Sequence, residues 1–204
     1  MQFLNQGLAA FALMTVALIV LIILRPSLTA ARGGKILAFM AFFILPVLTT
    51  TIGTSTHLEQ SKSTSFCLSC HVMKPYGESL RIDSDAYLPA RHFQNNIIPR
   101  DQACFTCHTT YTMFGDFSAK LRGVRHVYVQ YLGTLPETLE LYSPFKNREC
   151  LHCHSGARSF EENENHVDLR EDLENDEFSC LDCHDSIHGV EHLGELDMWD
   201  GGAE

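Results

Sequence analysis

The chain has 204 residues, 45% of them hydrophobic, and a formal net charge of −10. That length holds one ordinary domain or two small ones and excludes a large enzyme core beside a membrane anchor. The charge is uneven: residues 156–204 carry 16 acidic and 2 basic side chains, a balance of −14, which leaves +4 for the rest. The chain has no basic stripe, which argues against nucleic acid as a partner. The acidic stretch reads either as a solvated tail or as a docking surface for a basic protein.

No ionisable side chain occurs from Met1 to Leu24. A bilayer core takes roughly 20 apolar residues of helix, so "GLAAFALMTVALIVLIIL" predicts a spanning helix over 3–24. A second charge-free run, "ILAFMAFFILPVLTTTIG", predicts another over 36–53, kinked at Pro46. The intervening residues 25–35 carry Arg25, Arg32 and Lys35 and no acid. Positive loops stay cytoplasmic. The expected anchor is therefore a transmembrane hairpin over 1–56, with all later residues on the exported side. A cleaved signal peptide is the competing reading, but "MQFLNQ" lacks the basic start such peptides have.

All eight cysteines fall into one repeated pattern: "CLSCH" (Cys67, Cys70, His71), "CFTCH" (Cys104, Cys107, His108), "CLHCH" (Cys150, Cys153, His154) and "CLDCH" (Cys180, Cys183, His184). C-x-x-C-H attaches haem c. Two thiols at this spacing reach the two vinyl groups of one porphyrin, and the next residue sets an imidazole under the iron. Zinc also uses C-x-x-C pairs, but it does not require a histidine directly after the second cysteine four times over. Thiol exchange needs one pair, not four. Haem c is attached on the exported side of bacterial membranes, which agrees with the charge-based topology.

The first cysteines are spaced by 37, 46 and 30 residues. About 150 residues for four haems cannot build a normal side-chain core. The expected fold is mainly α with much irregular structure: the helical hairpin, then a compact domain over 57–190 with haems as its core, then an acidic C-terminal tail over 191–204. Helices are expected around "SAKLRGVRHVYVQYLG" and "VDLREDLEN".

Low-spin haems need a second axial ligand. The histidines outside the motif positions are His57, His92, His126, His152, His166, His188 and His192. His152 is crowded inside a motif loop. His188 stands four residues after His184, on the same side if the segment is helical, so it is expected to reach a neighbouring haem. In the first motif, His71 and Met73 both offer an iron ligand.

The region from about residue 57 to 190 resembles the NapC/NirT/NrfH family of membrane-anchored tetrahaem quinol dehydrogenases. The resemblance rests on four haem motifs after an N-terminal anchor, on "CLSCHVM", and on the closing "CLDCHDSIH". It implies that Met73, rather than His71, ligates the first haem, which lies nearest the membrane where quinol approaches. It implies Lys120 for the second haem, with His166 as the alternative, His188 for the third and His92 for the fourth. Where the family usually has an acidic residue near the first haem, this chain has His126, which can accept a proton near neutral pH or close the iron site. A two-helix anchor also departs from the family's single helix.

Together these readings predict four haem c groups in a bacterial cytoplasmic-membrane protein facing the periplasm. Menaquinol or another quinol would be the substrate, drawn from the membrane quinone pool. His126, Lys120, Asp83 and Asp85 are the proton-acceptor candidates. The second hydrophobic run ends about 15 residues before Cys67, so the first haem is expected close to the headgroups. Electrons would leave for an exported multihaem or other redox protein, or within a membrane complex. The rival reading is a relay subunit without its own quinone site. A gas sensor ranks last, because the chain has no output domain.

Overall fold

The computed structural model describes residues 2–134, 136, 141 and 143–201. The chain divides into two units, Met1–Gln60 and Ser61–Glu204.

The first unit is a pair of apolar helices. α1 (Gln2–Leu24) contains no charge, and at 1.5 Å per residue its 23 residues reach about 35 Å. A 3-10 turn, Pro26–Thr29, follows Arg25. Gly34 closes this corner, since a Cβ there would lie 1.6 Å from the Leu28 carbonyl oxygen. The second apolar helix runs unbroken over Arg32–Gln60, as α2 (Arg32–Phe39), a π-helical turn (Met40–Ile44) and α3 (Leu45–Gln60). The π turn answers Pro46, which has no N–H for Phe42 and whose ring would crowd that carbonyl. Leu45 N–H instead donates to Met40 O. The helix thus widens next to the proline where a kink was expected and continues to Gln60. Asn5–Leu24 and Arg32–Gln60 are both long and apolar enough to cross a membrane.

The second unit is built from short helices and irregular segments: α4 (Thr64–Cys67), α5 (Lys74–Glu78), α6 (Leu88–Gln94), α7 (Ala103–Cys107), α8 (Gly115–Leu132), α9 (Asn147–His154), α10 (Arg158–Glu161), α11 (Glu164–Asp168) and α12 (Arg170–Glu174). The expected helix near residue 120 is α8. The one expected at "VDLREDLEN" is split into α11 and α12, because Leu169 between them leaves helical geometry at φ −106°, ψ 9°. Among the described residues of this unit only eight apolar side chains are buried: Leu80, Ile82, Ala90, Ile98, Ala103, Phe105, Phe160 and Leu173. That is too few to offset the ordering entropy of such a unit by side-chain burial alone.

Two polar clips hold the motifs in pairs. The Thr64 hydroxyl donates to Arg100 O at 2.8 Å and accepts from Ala103 N–H at 2.8 Å, joining the first motif to the helix of the second. Asn147 joins the third motif to the fourth and is buried. Its side-chain amide donates to Leu173 O (2.8 Å) and Phe178 O (2.6 Å), its side-chain oxygen accepts from Cys180 N–H (2.8 Å), and its backbone N–H donates to Asp176 (2.7 Å). Each clip stands three residues before the first cysteine of its motif. The segment after the fourth motif folds back: Asp83 N–H donates to Asp197 O (2.8 Å), Trp199 N–H donates to Arg81 O (2.6 Å), and the Arg81 guanidinium donates to Trp199 O. The chain is therefore anchored as far as Trp199, beyond the start of the expected acidic tail.

Removing the Asn147 amide would leave two carbonyls and one N–H without partners, each costing about 1–3 kcal/mol. Asn147→Ala is expected to destabilise the second unit by about 3 kcal/mol or more, read from denaturant unfolding followed by circular dichroism. An unchanged midpoint would refute the clip.

Candidate haem-binding site

The motifs sit on or beside single helical turns. On a helix, residues three apart share a face, so α7 aims Cys104 and Cys107 the same way and α9 does so for Cys150 and Cys153. Backbone bonds close the turns: His108 N–H donates to Cys104 O at 2.9 Å and His184 N–H to Cys180 O at 3.0 Å. No disulfide joins any of the eight cysteines.

Thiols of different motifs meet in chain order. The side chains of Cys67 and Cys104 are close enough to perturb one another's ionisation, as are those of Cys150 and Cys180. The neighbouring Cys104 holds the Cys67 thiol below the usual thiol range. Cys107 lies within electrostatic reach of Cys153. The four motifs are therefore neighbours in the order one, two, three, four.

Three motif histidines face a second imidazole. His108 faces His188 with ring centres 6.2 Å apart, His154 faces His92 at 6.1 Å, and His184 faces His166 at 6.2 Å. Two iron–nitrogen bonds of roughly 2 Å, plus about 1.1 Å from each nitrogen to its ring centre, give about 6.2 Å. The three pairs thus fit a haem iron between two histidines. The pairing departs from the family-based expectation. His188 stands opposite His108, not His154, and His92 opposite His154, not His184. The reason is local: residues 184–189 are irregular rather than helical, so His188 leaves the side of His184 and reaches the second motif.

Hydrogen bonds fix two of the facing tautomers. The Ser79 hydroxyl donates its only proton to Tyr76 O at 2.7 Å. Its 2.7 Å contact with His188 Nδ1 is therefore N–H donating to oxygen, and Nε2 keeps the lone pair. His92 Nδ1 lies 2.7 Å from Leu88 O, an acceptor only, so it too is protonated at Nδ1. Burial, then the nearby His108, pushes His188 down to about 4, so its ring is neutral at pH 7. His166 Nδ1 is buried with no hydrogen-bond partner among the described residues. Ser79 carries no motif signal. Its role depends on a partner 109 residues away and was not legible in the sequence.

The first motif differs. His71 opens a 3-10 turn, His71–Met73, is exposed, and faces no second histidine ring among the described residues. Met73 is half-buried at the end of that turn. Lys120 does not stand opposite His108. Its ammonium donates to Ser61 O and lies 4.6 Å from the centre of the Phe105 ring. Desolvation there holds it below the usual lysine range, and Cys67 and Cys104 are among its electrostatic neighbours. His126 is exposed and acts electrostatically on His108. Asp83 and Asp85 are exposed in the segment before α6. His152 stacks on Tyr111 at 3.7 Å and faces none of the histidine pairs.

The sequence profile of the NapC/NirT cytochrome c family, N-terminal region, matches residues 30–193. The cytochrome c-type protein NapC of Haemophilus influenzae is 24% identical over 153 residues, covering 67% of this chain and 72% of that protein. No solved structure matches the chain.

His188→Ala, His92→Ala and His166→Ala are each expected to convert one low-spin haem to high spin, read by electron paramagnetic resonance. Ser79→Ala should keep the haem complement. It removes an acceptor that makes the His188 ring more electron-donating, so one haem potential should rise by about 40 mV, the one-electron equivalent of about 1 kcal/mol. An unchanged set of potentials in a redox titration would exclude the Ser79 role.

Proposed function

The chain belongs to the NapC/NirT cytochrome c family, and from that premise we propose that it is a membrane-anchored tetrahaem quinol dehydrogenase. It oxidises menaquinol or a related quinol and delivers the electrons to an exported redox protein, such as a multihaem reductase. Haem c, when bound, takes up and returns one electron at a time.

The observation that carries this reading is the asymmetry among the motifs. His108, His154 and His184 each face a second histidine, and His71 faces none among the described residues. In the proposed site Met73 would hold the first iron in place of His71, and quinol would be oxidised beside it. His188, His92 and His166 complete the second, third and fourth irons. A closed iron exchanges electrons only, whereas quinol oxidation also releases two protons. Those protons need a base, and Lys120 and His126 supply the closest candidates on α8. Lys120 is suited by its nearness to Cys67 and Cys104 and by desolvation that eases loss of its proton. Asp83 and Asp85, being exposed, serve onward release to water.

Two apolar helices support anchoring in the cytoplasmic membrane. The basic residues Arg25, between them, and Arg32 and Lys35, in the first turns of the second, favour an exported second unit. The acidic residues 156–204 lie in the half that carries the third and fourth motifs, which favours a basic patch on the acceptor.

The test uses the full haem-loaded chain in detergent. A menaquinol analogue is expected to reduce it, seen as growth of the α-band, with one high-spin haem in the oxidised spectrum. Reduction by dithionite but by no quinol, with four low-spin haems, would overturn the quinol site in favour of a simple relay.

A further inference from the structure

The segment after the fourth motif is pinned at both ends to one turn. At its start, His188 Nδ1–H donates to the Ser79 hydroxyl at 2.7 Å. At its end, Trp199 N–H donates to Arg81 O at 2.6 Å, and the Arg81 guanidinium donates back to Trp199 O at 3.1 and 3.2 Å. Ser79 and Arg81 open and close the same 3-10 turn. Between the pins, Met198 pairs antiparallel with the buried Ile82. The Trp199 ring then reaches a second element. The Arg100 guanidinium lies over it, 5.5 Å from the ring centre, and over the Phe93 ring at 5.2 Å. Arg100 also donates to Phe93 O and Gln94 O, at the end of α6 directly after His92. The Gln94 amide donates in turn to Leu80 O and Ile82 O. The strap 197–199 thus grips both the turn that orients His188 and the helix that carries His92.

Those two rings meet their partners at opposite angles. His188 is nearly parallel to His108, at 11°, and His92 is nearly perpendicular to His154, at 78°. His166 and His184 stand at 46°, and among the described residues neither bonds to the strap. Between two imidazoles on one iron, the ring angle fixes how their π orbitals overlap the metal d orbitals. A ring that turns therefore changes the low-spin magnetic signal and the potential. We propose that Trp199 is a positioning residue for electron transfer: the strap holds the His188 and His92 rings at the angles at which they would ligate the second and third irons. Arg100 is its arm toward His92, and Arg81 its arm toward His188.

This inference rests on His188 and His92 being the iron ligands proposed above, and its test separates the two. The full haem-loaded chain in detergent is oxidised and read by electron paramagnetic resonance. Crossed rings give a larger maximum g value than parallel rings, so the three pairs are told apart. His188→Ala and His92→Ala should each remove one low-spin signal. Trp199→Gly should shift the signals of both crossing pairs and leave that of His166 and His184 in place. Trp199→Phe, which keeps a ring for Arg100, should restore them. Arg100→Met, which leaves the strap's hydrogen bonds intact, should shift the His92–His154 signal alone. Three unmoved signals in Trp199→Gly, or equal changes in all three, would overturn the strap's role alone. If Trp199→Gly loses haem, Arg100→Met decides, and an unmoved His92–His154 signal overturns the proposal. Retention of every low-spin signal in His188→Ala and His92→Ala would overturn the ligand set and the strap together.

Discussion

The second unit depends on histidine pairs that cross between its two halves. His92 precedes the second motif but faces His154 of the third, and His188 follows the fourth but faces His108 of the second. Each crossing pair closes a long loop, and loop closure costs chain entropy that only a strong contact can offset. With few buried apolar side chains, the unit has little else able to do so. Under the proposed ligand set, two of the irons would tie one half of the unit to the other, so that metal binding and folding become one event.

The polar clips and the histidine pairs divide the work. Thr64 and Asn147 join motifs within a half through backbone bonds. The crossing histidines join the halves. Ser79 belongs to both systems. It lies shortly after the first motif, yet it orients the ring that faces the second. A change in the first motif's segment can therefore reach the next haem site through one hydroxyl, with no contact to the haem itself.

The local chemistry of this protein was legible in its sequence. Four C-x-x-C-H runs announce four attachment points, because the thiol spacing and the adjoining imidazole are set within five consecutive residues. Two charge-free runs announce two apolar helices, because length and hydropathy are local properties as well. The set of histidines that face the motifs, His92, His166 and His188, was also within reach, since few others remain. Which histidine faces which motif was not. That pairing depends on the irregular path of residues 184–189 and on the crossing of the halves, and neither leaves a periodic trace. The same holds for Ser79 and Asn147, whose partners are distant backbone and side-chain atoms. Sequence alone determined the residues that can hold the cofactor and the membrane. Only the tertiary structure decided how they are paired, because pairing is a matter of long-range loop closure and not of local composition.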